Sequence, residues 1–260
     1  MSASRALTEW IGFKTIIIRE FSRIVRIWGQ TIVPPAVTAT LYFIIFGSLI
    51  GRRVGQVGGY DYMQFIAPGL IMMTVITNSY GNVVSSFFGA KFGKHLEELL
   101  VSPMPNWLIV AGYMGGGILR GALVGSVVTV VALFFTHLAL THVLAIISAV
   151  FLTSMVFSLG GFINALFATN FDQISWFPTF VLTPLTYLGG VFYSITMLPG
   201  WAHAASHANP ILYMVSAFRY GFLGTTDVDL RLAYAIMVSA AAGMFALAVV
   251  LLNRGTGIRD

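Results

Sequence analysis

Apolar residues in this chain come in long blocks rather than in alternation. Residues 62–90 contain no charged side chain, and 27–51, 107–136, 143–169, 173–198 and 232–253 are nearly as bare, with Arg120 the single charge inside any block. A hydrocarbon core takes roughly 20 apolar residues per helix. The six blocks therefore predict an all-α integral membrane protein with six transmembrane helices. Residues 1–26 have a different rhythm. Trp10, Phe13, Ile17, Phe21 and Ile24 recur at helical spacing, and Arg19, Arg23 and Arg26 form a basic stripe. That pattern predicts an amphipathic helix lying on the membrane, with its cations toward anionic lipid. The chain thus divides into an interface helix, 1–26, and a six-span domain, 27–260.

The connecting segments carry their own signals. Residues 91–103 mix charge with leucine and stop at Pro103, which predicts a short helix with Leu96, Leu99 and Leu100 on one face. Segment 199–222 is apolar but too short for two crossings, so a re-entrant hairpin is expected on the outer side before the last span. Pro34 and Pro35 predict a kink in the first span, and Pro178 and Pro184 interrupt the fifth. Gly112 and Gly116, and Gly117, Gly121 and Gly125, repeat every four residues on the third span. Such stripes let helix backbones approach closely, here within one subunit.

Composition closes off other classes. Of 260 residues 57% are hydrophobic and 9% charged, with a mean hydropathy of +0.86; soluble domains carry about 25% charged residues. Six helices leave no room for a soluble catalytic domain. The net charge of +5 reflects cations gathered on a cytoplasmic face, not a nucleic-acid surface. Arg5, Lys14, Arg19, Arg23, Arg26, Lys91, Lys94, Arg254 and Arg259 fall on one side, against Arg52, Arg53, Arg219 and Arg231 on the other. Nine against four places both termini in the cytoplasm. The first 26 residues lack the apolar core of a cleaved signal peptide.

Candidate chemistry is sparse. Arg120 lies near mid-membrane, where insertion costs roughly 2.5–3.5 kcal/mol. No Asp or Glu lies in another span, which leaves Asn78, Asn82, carbonyls, water or an anionic substrate as its partners. Asn78 and Asn82 are four apart and share a face turned to protein or a cavity. No G-x-x-x-x-G-K-[ST] phosphate loop occurs, so this chain has no evident ATP site. Without cysteine there is no thiol chemistry. His203 and His207 have ligand spacing, with His137 and His142 expected on the same side, but two histidines without a third ligand in the motif read as a surface pair. Neither a channel or ion-coupled carrier nor a lipid-modifying enzyme fits well. The former lacks mid-span carboxylates, and the latter has only His203, His207, Asp227 and Asp229.

Three motifs carry a family resemblance. They are Lys94-His95-Leu96-Glu97-Glu98-Leu99-Leu100-Val101-Ser102-Pro103, then Leu188-Gly189-Gly190-Val191-Phe192-Tyr193-Ser194 before Leu198-Pro199-Gly200-Trp201, and Asn209-Pro210-Ile211-Leu212-Tyr213 with Arg219. On these the chain resembles permease subunits of type-2 ABC exporters, in the nodulation-factor and YadH-type branch; His95 stands where threonine is common. The resemblance implies a permease paired with an identical copy in the bacterial inner membrane, in contact with lipid and with two separate ATPase subunits that hold ATP and Mg. It implies that 91–103 is a coupling helix docking on the ATPase through Lys94, His95, Leu96, Glu97, Glu98, Leu99, Leu100 and Pro103, and that no cofactor binds this chain. The cargo would be a lipid-linked, polysaccharide, glycolipid or drug-like molecule. Candidate path residues are Arg120, Asn78, Asn82, Tyr187, Phe192 and Tyr193.

Overall fold

The computed structural model describes residues 2–257, without the side chains of 2–6, 48, 49, 52 and 196. Arg259 and the side chains of Arg5 and Arg52, which entered the charge count, lie outside the described residues. Helix α1 (Ser2–Arg26) is followed after Ile27 by α2 (Trp28–Ile44), which runs on through a π-helical stretch, Ile45–Ile50, into α3 (Gly51–Val54). Pro34 and Pro35 sit inside α2 without ending it. A hairpin of β1 (Gln56–Val57) and β2 (Tyr60–Asp61) turns on Gly58 and Gly59, both at positive φ, the tight geometry that glycine pairs favour.

Helix α4 (Tyr62–Phe92) is the axis of the molecule. Its 31 residues, at 1.5 Å each, measure about 47 Å. It packs against α6 (Asn106–Leu133) and α7 (Val143–Phe167). Between α4 and α6 lies α5 (His95–Val101). After α7 come α8 (Phe171–Phe177), a π-helical stretch at Pro178–Leu182, α9 (Thr183–Tyr187), α10 (Gly200–His207), α11 (Pro210–Leu223) and α12 (Leu230–Arg254). Among the described residues, four apolar helices have the length and hydropathy to cross a membrane: Trp28–Gly47, Asn106–Leu133, Val143–Phe167 and Leu230–Arg254. Helix α4 is longer than any of them, but Gln64, Asn78, Asn82 and its serines dilute its hydropathy.

The connections segregate to two ends. At one end Lys91 Nζ donates to the carbonyls of Leu166 at 2.7 Å and Ala168 at 2.8 Å, tying the foot of α4 to the C-terminus of α7. There too Asn106 of α6 donates to Asn253 of α12 at 2.7 Å. At the other end His142 N donates to Gly221 O at 2.8 Å, Thr141 to Phe222 O at 2.7 Å, and Tyr60 to Leu223 O.

The glycine stripes explain how closely the rods pack. An added methyl at Gly112 would meet Ile16 at 2.7 Å and one at Gly116 would meet Glu20 at 2.7 Å, so α1 lies directly on α6. On the neighbouring face, Gly117, Gly121 and Gly125 admit Ser158 and Val83, Ser79 and Ser154, and Val75 from α4 and α7.

Three expectations change. The fifth block is continuously helical only over 171–187, because Gly189 and Gly190, the latter at φ +72°, turn the chain before a short 3-10 turn at Ile195–Met197. The 91–103 helix contracts to α5, since Lys91 and Phe92 complete α4, Lys94 at φ +60° breaks the run, and Ser102 is extended before Pro103. In α1 the inward face is Ile16, Glu20 and Ile24; Arg23 bonds into the bundle, and Arg19 reaches Tyr113 while staying 44% exposed. Trp10 and Phe21 stay exposed.

Candidate functional site

Helix α5 is a short platform held by its apolar side. Leu96 is buried, Leu99 and Leu100 are half-buried, and Ser102 Oγ caps the C-terminus on Leu99 O at 2.6 Å. Lys94, Glu97, Glu98 and Val101 follow at i, i+3, i+4 and i+7, so they share the opposite face. All four are exposed, as are His95 and Pro103. Val101 is 86% exposed, which leaves an apolar tip between two carboxylates and a lysine. A surface of that kind can seat in a groove while its charges pair at the rim.

Above α5, α1 delivers a carboxylate into the bundle. Glu20 is 1% exposed, and Gly116 makes room for it. Its Oε1 accepts from Ser86, and its Oε2 accepts from Arg23 at 3.0 Å and Asn82 at 3.2 Å. Arg23 also donates to Asn82 Oδ1 at 2.8 Å, and Arg19 donates to Tyr113 at 2.6 Å. This net joins α1, α4 and α6. The amphipathic pattern of residues 1–26 by itself places Glu20 on a surface helix. The signal was present in the spacing Ile16-Glu20-Ile24, an apolar face with a carboxylate at its centre, opposite small residues at Gly112 and Gly116.

The predicted path residues do not form one group. Asn82 belongs to the Glu20 net. Arg120 does not pair with Asn78 or Asn82; its Nε is buried without a hydrogen-bond partner, and its charge repels that of Arg23. Asn78 instead donates to Thr74 O at 3.0 Å and lines a cavity of about 220 Å³ with Pro34, Thr38, Tyr42 and Thr77. Tyr42 continues that lane into an aromatic group. Phe192 stacks on Phe46 with ring centres 4.8 Å apart and on Tyr187 at 5.6 Å, with Tyr42 edge-on at 6.1 Å. Tyr193 lies apart, beside Ser206 of α10.

The second and third motifs meet at the far end. Arg219, 1% exposed, donates to Gly190 O at 2.6 Å and Phe65 O at 3.3 Å, pairs with Asp227 at 3.3 Å, and lies 3.9 Å over the Phe65 ring. Asn209 caps α11 through Ile211 N at 3.0 Å and donates to Leu185 O at 2.6 Å. Asp227 also accepts from Ser194, and Asp229 caps α12. Both carboxylates are thus engaged in holding the fold. The rings of His203 and His207 meet edge to face with centres 4.7 Å apart, and among the described residues no group of three metal-ligand side chains forms.

A family model for ABC-2 type transporters matches residues 11–223. The chain is 54% identical over 251 residues, 96% of its length and 98% of the relative's, to the inner membrane transport permease YadH of Escherichia coli strain K12. It is also similar to Nodulation protein J of Rhizobium leguminosarum bv. trifolii, at 26% over 190 residues, 73% of this chain and 72% of that one. With the Rhizobium meliloti protein of the same name it shares 23% over 215 residues, 82% of each.

Proposed function

The chain belongs to the ABC-2 type transporter family, and from that premise we propose that it is the membrane subunit of an ATP-driven exporter in a bacterial inner membrane. The name of the Escherichia coli relative supports that membrane. Six crossings would be made by α2, α4, α6, α7, the α8–α9 run and α12, with α10 and α11 as a re-entrant hairpin. Lys14, Arg19, Arg23, Arg26, Lys91, Lys94 and Arg254 favour a cytoplasmic position for the end that carries α5. Two copies would stand side by side, each engaging one separate ATPase subunit where ATP and Mg bind.

The observation that carries this reading is α5, a seven-residue helix pinned by Leu96 and showing Lys94, Glu97, Glu98 and Val101 outward. A chain without a phosphate loop needs its energy delivered mechanically, and this face offers the grip. Its carboxylates suit Arg or Lys on a partner. Movement of α5 would reach α4 directly through the Gly93–Lys94 turn. The lane from Asn78 through Tyr42 to Tyr187 and Phe192 is the proposed cargo route. Its polar foot and aromatic head suit an amphiphilic, lipid-linked, sugar-bearing or drug-like molecule, because ring faces stack on flat apolar surfaces.

Replacing Glu97→Ala together with Glu98→Ala is expected to weaken ATPase co-purification about tenfold, since charged hydrogen bonds contribute about 1.5–3 kcal/mol. Hydrolysis should also lose its dependence on cargo. Wild-type values in both assays would remove α5 from the coupling role.

A further inference from the structure

The α8–α9 run faces α4 across a cavity of about 350 Å³. Its lining brings Thr77 and Gly81 of α4 together with Ser175, Thr179 and Thr183. The same run carries Trp176 and Phe180 at 58% and 64% exposure. A segment with hydroxyls on one side and large aromatic groups on another is two-sided: the rings suit lipid, and the hydroxyls suit a polar occupant. Each of these hydroxyls already gives its proton away. Thr77 donates to Met73 O at 3.1 Å, Ser175 to Phe171 O at 3.3 Å, and Thr179 and Thr183 to Ser175 O and Pro178 O, both at 2.8 Å. A hydroxyl so committed keeps only its lone pairs for a ligand. The floor is bare, since a methyl added at Gly81 would meet nothing within 4 Å. Thr77 also lines the cavity that Asn78 shares with Tyr42, so the two spaces meet on one residue of α4. There Thr74 likewise donates to Leu70 O at 2.9 Å. Among the described residues neither lining holds a charged side chain.

We infer that these paired cavities receive an uncharged, hydroxyl-rich group, a sugar ring or similar polyol, and turn away anionic and cationic head groups. A row of acceptors without free protons binds donors, which hydroxyls supply and a phosphate or carboxylate does not. An ammonium also donates, but it would exchange its hydration for neutral oxygens with no counter-charge nearby, which is unfavourable. The space is sufficient. A void of about 150 Å³ accepts a benzene ring, and each cavity here is larger. The inference deepens the exporter reading by naming the polar part of the cargo, and it rests on that reading for the α8–α9 run as a crossing. Its test is binding by the chain alone, without ATPase or transport. Preference for another class of lipid would therefore remove the inference and leave the exporter reading intact.

The full-length chain in a sugar-free detergent would be titrated with monoglucosyl diacylglycerol. Phosphatidic acid, a primary-amine lipid and diacylglycerol, all with the same acyl chains, would be titrated alongside, and the bound species counted by native mass spectrometry. The expected result is retention of the glucosyl lipid about tenfold over each of the others. Thr179→Val combined with Thr183→Val keeps the shape of the wall, removes its acceptors and should bring that ratio near unity. Gly81→Leu, which fills open space, should do the same. Ser239→Ala, which removes an exposed hydroxyl of α12, should keep the preference. Displacement of the glucosyl lipid by methyl glucoside, with the same threonine dependence, would support the site and assign it a soluble ligand. Retention of phosphatidic acid or the amine lipid as strong as that of the glucosyl lipid overturns the inference. So does an unchanged preference in threonine and Gly81 variants that remain monodisperse, or an equal loss in Ser239→Ala.

Discussion

A guanidinium in a protein interior is expensive unless its donors find acceptors. Arg219 meets that demand with two backbone carbonyls, one carboxylate and a ring face. In doing so it holds the glycine turn after α9 against the top of α4. Leucine at this position would fill similar space but leave Gly190 O and Phe65 O without donors and Asp227 without its cation. Arg219→Leu is expected to cost about 3–5 kcal/mol, the usual result of breaking a buried pair from one side. Asp227→Asn should cost nearer 1 kcal/mol, because the residue is 16% exposed and can still accept. Thermal unfolding of the purified chains in one detergent measures both. An Arg219→Leu protein that melts with the wild type would show that the node does not hold this end together. The sequence placed Arg219 in a motif but on an outward segment, because a charge count registers sign and position and carries no information about carbonyls brought in from elsewhere in the chain. Glu20 escaped notice for the same reason. Its partners Asn82 and Ser86 are more than sixty residues away, and local spacing alone reads a lone carboxylate on an amphipathic helix as solvated.

At the scale of elements, the join between α4 and α5 depends on Lys94, the one described residue other than glycine with positive φ. A left-handed residue with a Cβ carries roughly 1–2 kcal/mol of strain, tolerated here because it turns α5 across the foot of α4. Lys94→Gly should relieve the strain at some entropic cost and leave stability within about 1 kcal/mol of wild type. Lys94→Ile, β-branched, fits that region worst. It should loosen α5 and raise exchange of its backbone amides about tenfold while α4 and α6 are unchanged. Hydrogen exchange equally slow in both variants would mean that α5 is not set by this turn. The position of this helix was legible because leucines at 96, 99 and 100 declare a face. Its length was not, since Phe92 is equally at home as the last residue of α4. Likewise, 173–198 reads as one span by composition. The reversal at Gly189 and Gly190 depends on Arg219 and Ile211, which hold the turn from another part of the chain.

For the whole molecule, hydropathy marked long apolar helices, because lipid solubility is a property of each segment alone. Four of them satisfy a strict test of length and apolarity. Helix α4 does not, for a physical reason: it is the central helix, most of its surface touches protein, and its asparagines with Ser85 and Ser86 are met by Glu20, Arg23 and neighbouring carbonyls. Direction is then imposed by connectivity. Helix α5 lies between the foot of α4 and the start of α6, and the loop at 137–142 lies at the opposite end against α11. If the two ends face different compartments, single cysteines placed at them must differ in accessibility, and a chain without native cysteine permits the measurement without background. Val101 and Leu140 are 86% and 65% exposed, so neither substitution disturbs packing. Val101→Cys should react with a membrane-impermeant maleimide only in inverted vesicles, Leu140→Cys only in intact cells with the outer membrane opened, and Trp201→Cys with the second pattern. Labelling of Val101→Cys and Leu140→Cys from one side would require an even number of crossings between residues 101 and 140. The 28-residue α6 would then no longer cross once, and the proposed docking of α5 on a cytoplasmic ATPase would fall with it.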